Sequence, residues 1–93
     1  MKFEWDPRKN NTNLIKHGIN FEEAISVFND VYAIIINDRF HSTEEYREII
    51  LGKSKNNHLL YVVFVEKTNS IRIISARKLT SSERKRYENG KLF

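Results

Sequence analysis

A chain of 93 residues makes one domain, able to bury roughly 60–70% of its unfolded surface. Its 40% apolar and 12% aromatic content excludes intrinsic disorder, and the lack of cysteine excludes a disulfide framework, a thiolate nucleophile and cysteine-bound zinc. The formal charge of +4 is uneven: residues 77–93 hold six Lys or Arg against Glu83 and Glu88, so the rest of the chain is neutral overall.

A basic end of this kind is either a solvated face or a footprint for phosphate or an acidic partner. The N-terminus lacks the apolar core of a signal peptide, and the longest apolar runs, Tyr32–Ile36 and Leu59–Val65, are strand-length. A soluble cytoplasmic protein is expected, with no membrane association.

Phe3–Trp5 alternates and reads as a short edge strand. Asp6-Pro7 then opens a helix, with Asp as N-cap and Pro pre-set for the first helical position. Arg8–Lys16 is polar except for Leu14 and Ile15, and His17-Gly18 closes the helix with a residue suited to a left-handed turn. Asn20 and Glu23 cap a second helix, in which Phe21, Ala24, Ile25 and Phe28 keep helical spacing.

Val31–Ile36 is a strand by composition, followed by a polar loop with Phe40 and His41 as landmarks. Arg47–Leu51 makes the next strand, ended by Gly52. Leu59–Val65 is apolar nearly throughout, which predicts a central strand covered on both faces. A turn over 67–70 leads into Ile71–Arg77. The Thr80–Glu83 capping box then starts a basic helix over Ser81–Asn89. The order predicts an α+β domain: two N-terminal helices, a four-stranded antiparallel meander with a short N-terminal strand beside it, and a C-terminal helix.

His17, His41 and His58 stand in no metal-ligand pair, and three glycines build no phosphate-cradling loop. What remains is Arg, Lys, His, Glu and Tyr. That set is sufficient to cut RNA through its own 2′-hydroxyl, given alignment, proton transfer and a planar guanidinium on the crowded phosphate.

The frame Phe3-Glu4-Trp5-Asp6, Lys16-His17-Gly18, Phe21-Glu22, Ala24, Val27-Phe28, Arg47, Gly52, Ile71–Lys78 and Glu83-Arg84 with Tyr87 resembles the BrnT family of bacterial toxins. The resemblance runs from residue 3 to about residue 88. It implies a fold like the RelE-type toxins and a cofactor-free, metal-independent endoribonuclease that halts translation. It also implies a BrnA-like ribbon-helix-helix antitoxin in a hetero-oligomer that represses its own operon, with operator DNA touched only through that complex.

On this resemblance the candidate catalytic residues are Arg77, Arg72, Arg47, His17, Tyr87 and Glu45. Lys16, Lys78, Arg84 and Lys85 are candidates for holding RNA. Arg72 and Arg77 lie five residues apart, so strict alternation puts them on opposite faces unless a bulge intervenes. The competing reading is a non-catalytic basic module that binds RNA, DNA or protein, as a degenerate toxin would.

Overall fold

A computed structural model describes residues 1–39 and 45–90, which leaves Phe40 and His41 outside the described residues. The elements are β1 (Lys2–Glu4), α1 (Pro7–His17), α2 (Phe21–Ser26), β2 (Ile34–Asn37), β3 (Glu48–Lys53), β4 (Leu59–Glu66), β5 (Ser70–Lys78) and α3 (Ser81–Glu88). A 3₁₀ turn, Val27–Asn29, extends α2. The five strands form one sheet in the order β1-β5-β4-β3-β2. β2 to β5 make the antiparallel meander, and β1 adds in parallel to the outer side of β5.

The helix ends follow the sequence signals. Asp6 accepts from the Arg8 amide, Pro7 opens α1, and Gly18 ends it at φ 71° with its N–H bonded to the Leu14 carbonyl. The second strand begins three residues later than its composition suggests. Asp30 takes the amides of Tyr32 (through its side chain, 3.0 Å) and Ala33 (through its carbonyl, 3.1 Å), which makes a turn of that segment. Val31 and Tyr32 are left in solvent, 88% and 81% exposed.

β4 is the central strand, and its alternation divides the molecule. Leu60, Val62 and Phe64 face α1 and α2, where they pack with Ile19, Phe21, Ala24, Val27, Ile50 and Ile73. An aromatic row of Phe3, Phe28 and Phe64, with ring centroids 5.1 Å apart at each step, closes one end of this layer. Ile49, Leu51, Val63 and Leu79 form a smaller cluster on the opposite face, joined by Tyr61, Ile74 and Tyr87. No helix of the described residues is long and apolar enough to cross a membrane.

β1 pairs with β5 only from Ser70 to Arg72, so the next stretch of β5 needs another partner for its backbone. Asn13 of α1 supplies it. Its Nδ2 donates to the carbonyls of Ala76 (2.7 Å) and Ile19 (2.8 Å), and its Oδ1 accepts from the Ala76 amide at 3.0 Å. The side chain thus stands in for a strand and is itself buried. Asn13→Leu would leave three backbone groups without partners, each costing about 1–3 kcal/mol when buried. The expected outcome is a loss of about 2–4 kcal/mol in urea unfolding at unchanged m-value, and a loss under about 1 kcal/mol would contradict this role.

Candidate active site

The parity problem between Arg72 and Arg77 is resolved inside β5. Val63 of β4 pairs with Ser75 while the next residue, Phe64, pairs with Ile73, so Ile74 is an extra residue. This β-bulge resets the alternation. Arg72 comes opposite Val65 and Arg77 opposite Tyr61, and both arginines stand on the face away from α1 and α2. Arg47, one residue before β3, reaches the same face.

Asp38, Arg47, Tyr61, Val63, Ser75 and Arg77 line a cleft there of about 270 Å³. Arg77 is held from two sides. Its guanidinium carbon lies 4.0 Å from the centroid of the Tyr61 ring, a cation–π stack. Its two terminal nitrogens donate to the two carboxylate oxygens of Glu83 at 2.7 and 3.0 Å, and Nη1 also reaches the Lys78 carbonyl at 3.2 Å.

Glu83 meanwhile completes the cap of α3: its Oε1 accepts from the Thr80 amide at 2.8 Å, and Thr80 Oγ1 accepts from the Glu83 amide at 3.2 Å. The hydrogen bond from Arg77 holds the Glu83 carboxyl at a pKa of about 2, against burial, with the Thr80 amide assisting. Burial raises the Tyr61 phenol above its ordinary value, more than the Arg77 charge lowers it, so Tyr61 presents a neutral O–H to the cleft.

At the other end of the row, Glu45 joins two arginines. One of its oxygens lies 3.5 Å from Arg47 Nη2, and the other accepts from Arg72 Nη2. The Arg72 hydrogen bond and the two positive charges lower the Glu45 pKa, with burial opposing them. Arg72, Glu45, Arg47, Arg77 and Glu83 therefore run along one face, with Glu45 between two of the three cations and Glu83 beyond the third.

His17 and Lys16, at the end of α1, line a second hollow of about 420 Å³ with Lys9, Thr12, Ile74 and Ser75. Ser75 belongs to both hollows, so the α1 groove and the arginine cleft meet at the bulge. The remaining candidates lie elsewhere. Tyr87 packs beside Leu59 and Tyr32 in a separate hollow, and its hydroxyl donates to the Tyr32 carbonyl at 3.4 Å. Lys78 pairs with Leu60 and falls on the helix-packed side. Arg84 and Lys85 are exposed on α3.

Tyr61, Ser75 and Asp38 line the cleft without having been among the sequence candidates. Tyr61 carried a usable signal, since it brings a hydroxyl to the apolar run Leu59–Val65 and a hairpin turn at 67–70 places that run beside Arg77. His58 serves the opposite layer, with Nδ1 2.7 Å from Oε2 of the buried Glu23. Among the described residues no group of three or more His, Asp or Glu side chains is placed to hold a metal ion.

The family model that describes the ribonuclease toxin BrnT of type II toxin–antitoxin systems matches residues 5–83. The chain belongs to the BrnT family. No protein of curated function matches the sequence. The crystal structure of the Brucella abortus ribonuclease toxin BrnT superposes with a TM-score of 0.68, covering 87% of this chain and 99% of that one at 23% identity. The α+β fold is accordingly that of BrnT, and the family is one of ribonuclease toxins of type II systems, which implies an antitoxin partner.

The Arg77–Glu83 pair carries a pH signature. The folded-state pKa of Glu83 lies below its ordinary 4.5, at about 2, so the stabilisation is complete above the ordinary value and is lost as pH falls toward the folded one. Glu83→Gln is expected to lower stability at neutral pH by about 1.5–3 kcal/mol, the range for hydrogen bonds to charged groups. It also flattens the acid limb of the stability curve. Urea midpoints of the two proteins that run parallel across that limb would show that the pair contributes nothing.

Proposed function

We propose that the cleft between Arg47 and Arg77 is where this toxin cuts RNA, as a metal-independent endoribonuclease working through the substrate's own 2′-hydroxyl. The observation that carries the reading is the bulge at Ile74, which puts Arg72 and Arg77 together on the open face that Arg47 also reaches. In the reaction the 2′-oxygen loses its proton and attacks phosphorus. The bond from phosphorus to the 5′-oxygen then breaks, and that oxygen takes a proton. The products are a 2′,3′-cyclic phosphate and a 5′-hydroxyl.

Arg77 faces the phosphate as it gains charge. Its bonds to Glu83 and the Lys78 carbonyl use three N–H groups of the five a guanidinium carries, which leaves donors for a phosphate oxygen. Its stack on Tyr61 and its fork on Glu83 fix its position before substrate arrives. Tyr61 offers a neutral hydroxyl within the same cleft, suited to donate toward the leaving or non-bridging oxygens. His17 stands in the adjoining groove as the proton carrier, and Lys16 and Lys9 draw the strand along α1. Tyr87, Lys78, Arg84 and Lys85 lie outside the two hollows and act through general charge or packing.

Cleavage of cytoplasmic RNA by this route halts translation. The partner in this reading is a BrnA-like ribbon-helix-helix antitoxin, and the hetero-oligomer, not the toxin alone, reaches operator DNA. The type II family supports an antitoxin, and the exposed Val31 and Tyr32 are apolar surface of the kind a partner covers.

Purified protein incubated with RNA in excess chelator is expected to yield 2′,3′-cyclic phosphate ends. Arg77→Ala should lower kcat/KM by about 10²–10³, the loss seen when one charge-stabilising donor is removed. Cleavage abolished by the chelator would overturn the metal-free route. Tight, salt-sensitive binding with no cleavage would favour the non-catalytic module instead.

A further inference from the structure

The two carboxylates of the arginine row are held very differently. Glu83 is bound by Arg77 and by the Thr80 amide together, so it cannot leave Arg77 without opening the first turn of α3. Glu45 lies outside every helix and strand, 34% of its side chain is exposed, and its bonds among the described residues go to Arg47 and Arg72 alone. Two guanidiniums from separate segments closing on one acidic group is the geometry that also grips a phosphodiester. These ion pairs are half-buried but still reach solvent, and an anion held by side chains alone, with no helix cap or backbone bond, exchanges at less cost than Glu83.

We infer that Arg47 and Arg72 form a seat for an RNA phosphate beside the scissile one, and that Glu45 is the anion resident in that seat until RNA displaces it. The inference rests on RNA being the substrate. Arg72 and Arg77 lie opposite Val65 and Tyr61, four residues apart along β4 or roughly 13 Å at the rise of a strand, so the two ends of the row serve different phosphates. Arg47 belongs to both, since it touches Glu45 and lines the cleft with Arg77. Glu45 then competes with substrate and takes no part in the chemistry, whereas a general base at this position would be needed for it.

Glu45→Gln keeps the shape and removes the charge. With inorganic phosphate and a 2′-O-methyl oligoribonucleotide as uncleavable probes, the full chain carrying this change is expected to bind both about two- to fivefold tighter, the scale of one solvent-reached ion pair relieved. The gain should vanish in an Arg72→Gln background, where the seat is already broken. Unchanged or weaker phosphate binding by Glu45→Gln overturns the seat, as does a gain that survives the loss of Arg72. Cleavage that collapses in Glu45→Gln at unchanged phosphate affinity also overturns it, and makes Glu45 a reacting group. A wild-type chain that never cuts RNA, yet gains phosphate affinity on the same substitution, keeps the seat and removes the ribonuclease assignment of the cleft.

Discussion

The extra residue at Ile74 is the constraint on which the rest of the site depends. Without it, β5 would alternate strictly, and Arg72 would enter the layer packed by α1 and α2 beside Phe64 while Ile71 and Ile73 turned out to the open face. A guanidinium buried there without a partner would cost several kcal/mol. With the bulge, Ile71, Ile73 and Ala76 all reach the helix side while Arg72, Ser75 and Arg77 reach the open one. One inserted residue therefore reconciles a well-packed core with a cationic face. It also sits where the two hollows meet, which agrees with the tendency of bulges to lie beside functional sites and re-aim their side chains.

The charge of the chain reads differently once it is placed. Counted along the sequence, the excess of cations lies in residues 77–93 and suggests a basic helix as the functional element. In space, Arg84 and Lys85 are exposed on a helix with no buried residue, and the arginines that share a surface come from β5 and from the approach to β3. The two kinds of cation do different work. Exposed helix charges raise the local potential and hasten the arrival of a polyanion. Arginines fixed by stacking and by forked carboxylate contacts lose little freedom on binding, so they can position a phosphate as well as attract it.

Much of the fold was legible because local and global signals agree. The caps at Asp6, Asn20 and Thr80, the left-handed Gly18 and the central apolar strand are each written in neighbouring residues. The antiparallel meander follows from strands joined by short turns. The site was legible only in part. Arg77 with Glu83 could be foreseen, since the capping box fixes where Glu83 sits relative to the strand end. The bulge could not, because Ile73, Ile74 and Ser75 suit a regular strand as well as an irregular one. Val31 and Tyr32 have strand composition but lie in a turn, since Asp30 takes the amides of Tyr32 and Ala33 in local hydrogen bonds. Tyr87 shares a motif with Glu83 and Arg84, but the packing of α3 turns it toward Leu59 and away from the cleft.

Asn13 explains how the groove of α1 comes to be aligned with the sheet. A polar helix whose apolar residues, Leu14 and Ile15, are 47% and 87% exposed has little hydrophobic area with which to fix its own position. Its register must come from something directional, and three hydrogen bonds from one buried amide to Ala76 and Ile19 provide it. Ala76 lies between Ser75 and Arg77, so the bonds that dock α1 to the strand are made at a residue flanked by two that line the cleft. His17 and Lys16 follow one turn after Asn13 on α1, which sets their distance from Arg77 by helix geometry alone. An interaction across 63 residues of sequence thus decides whether the His–Lys end of α1 and the arginine row can act on one strand of RNA. No local pattern announces it, since an Asn within a polar helix is ordinarily solvated, and its distant partner is the unpaired edge of β5.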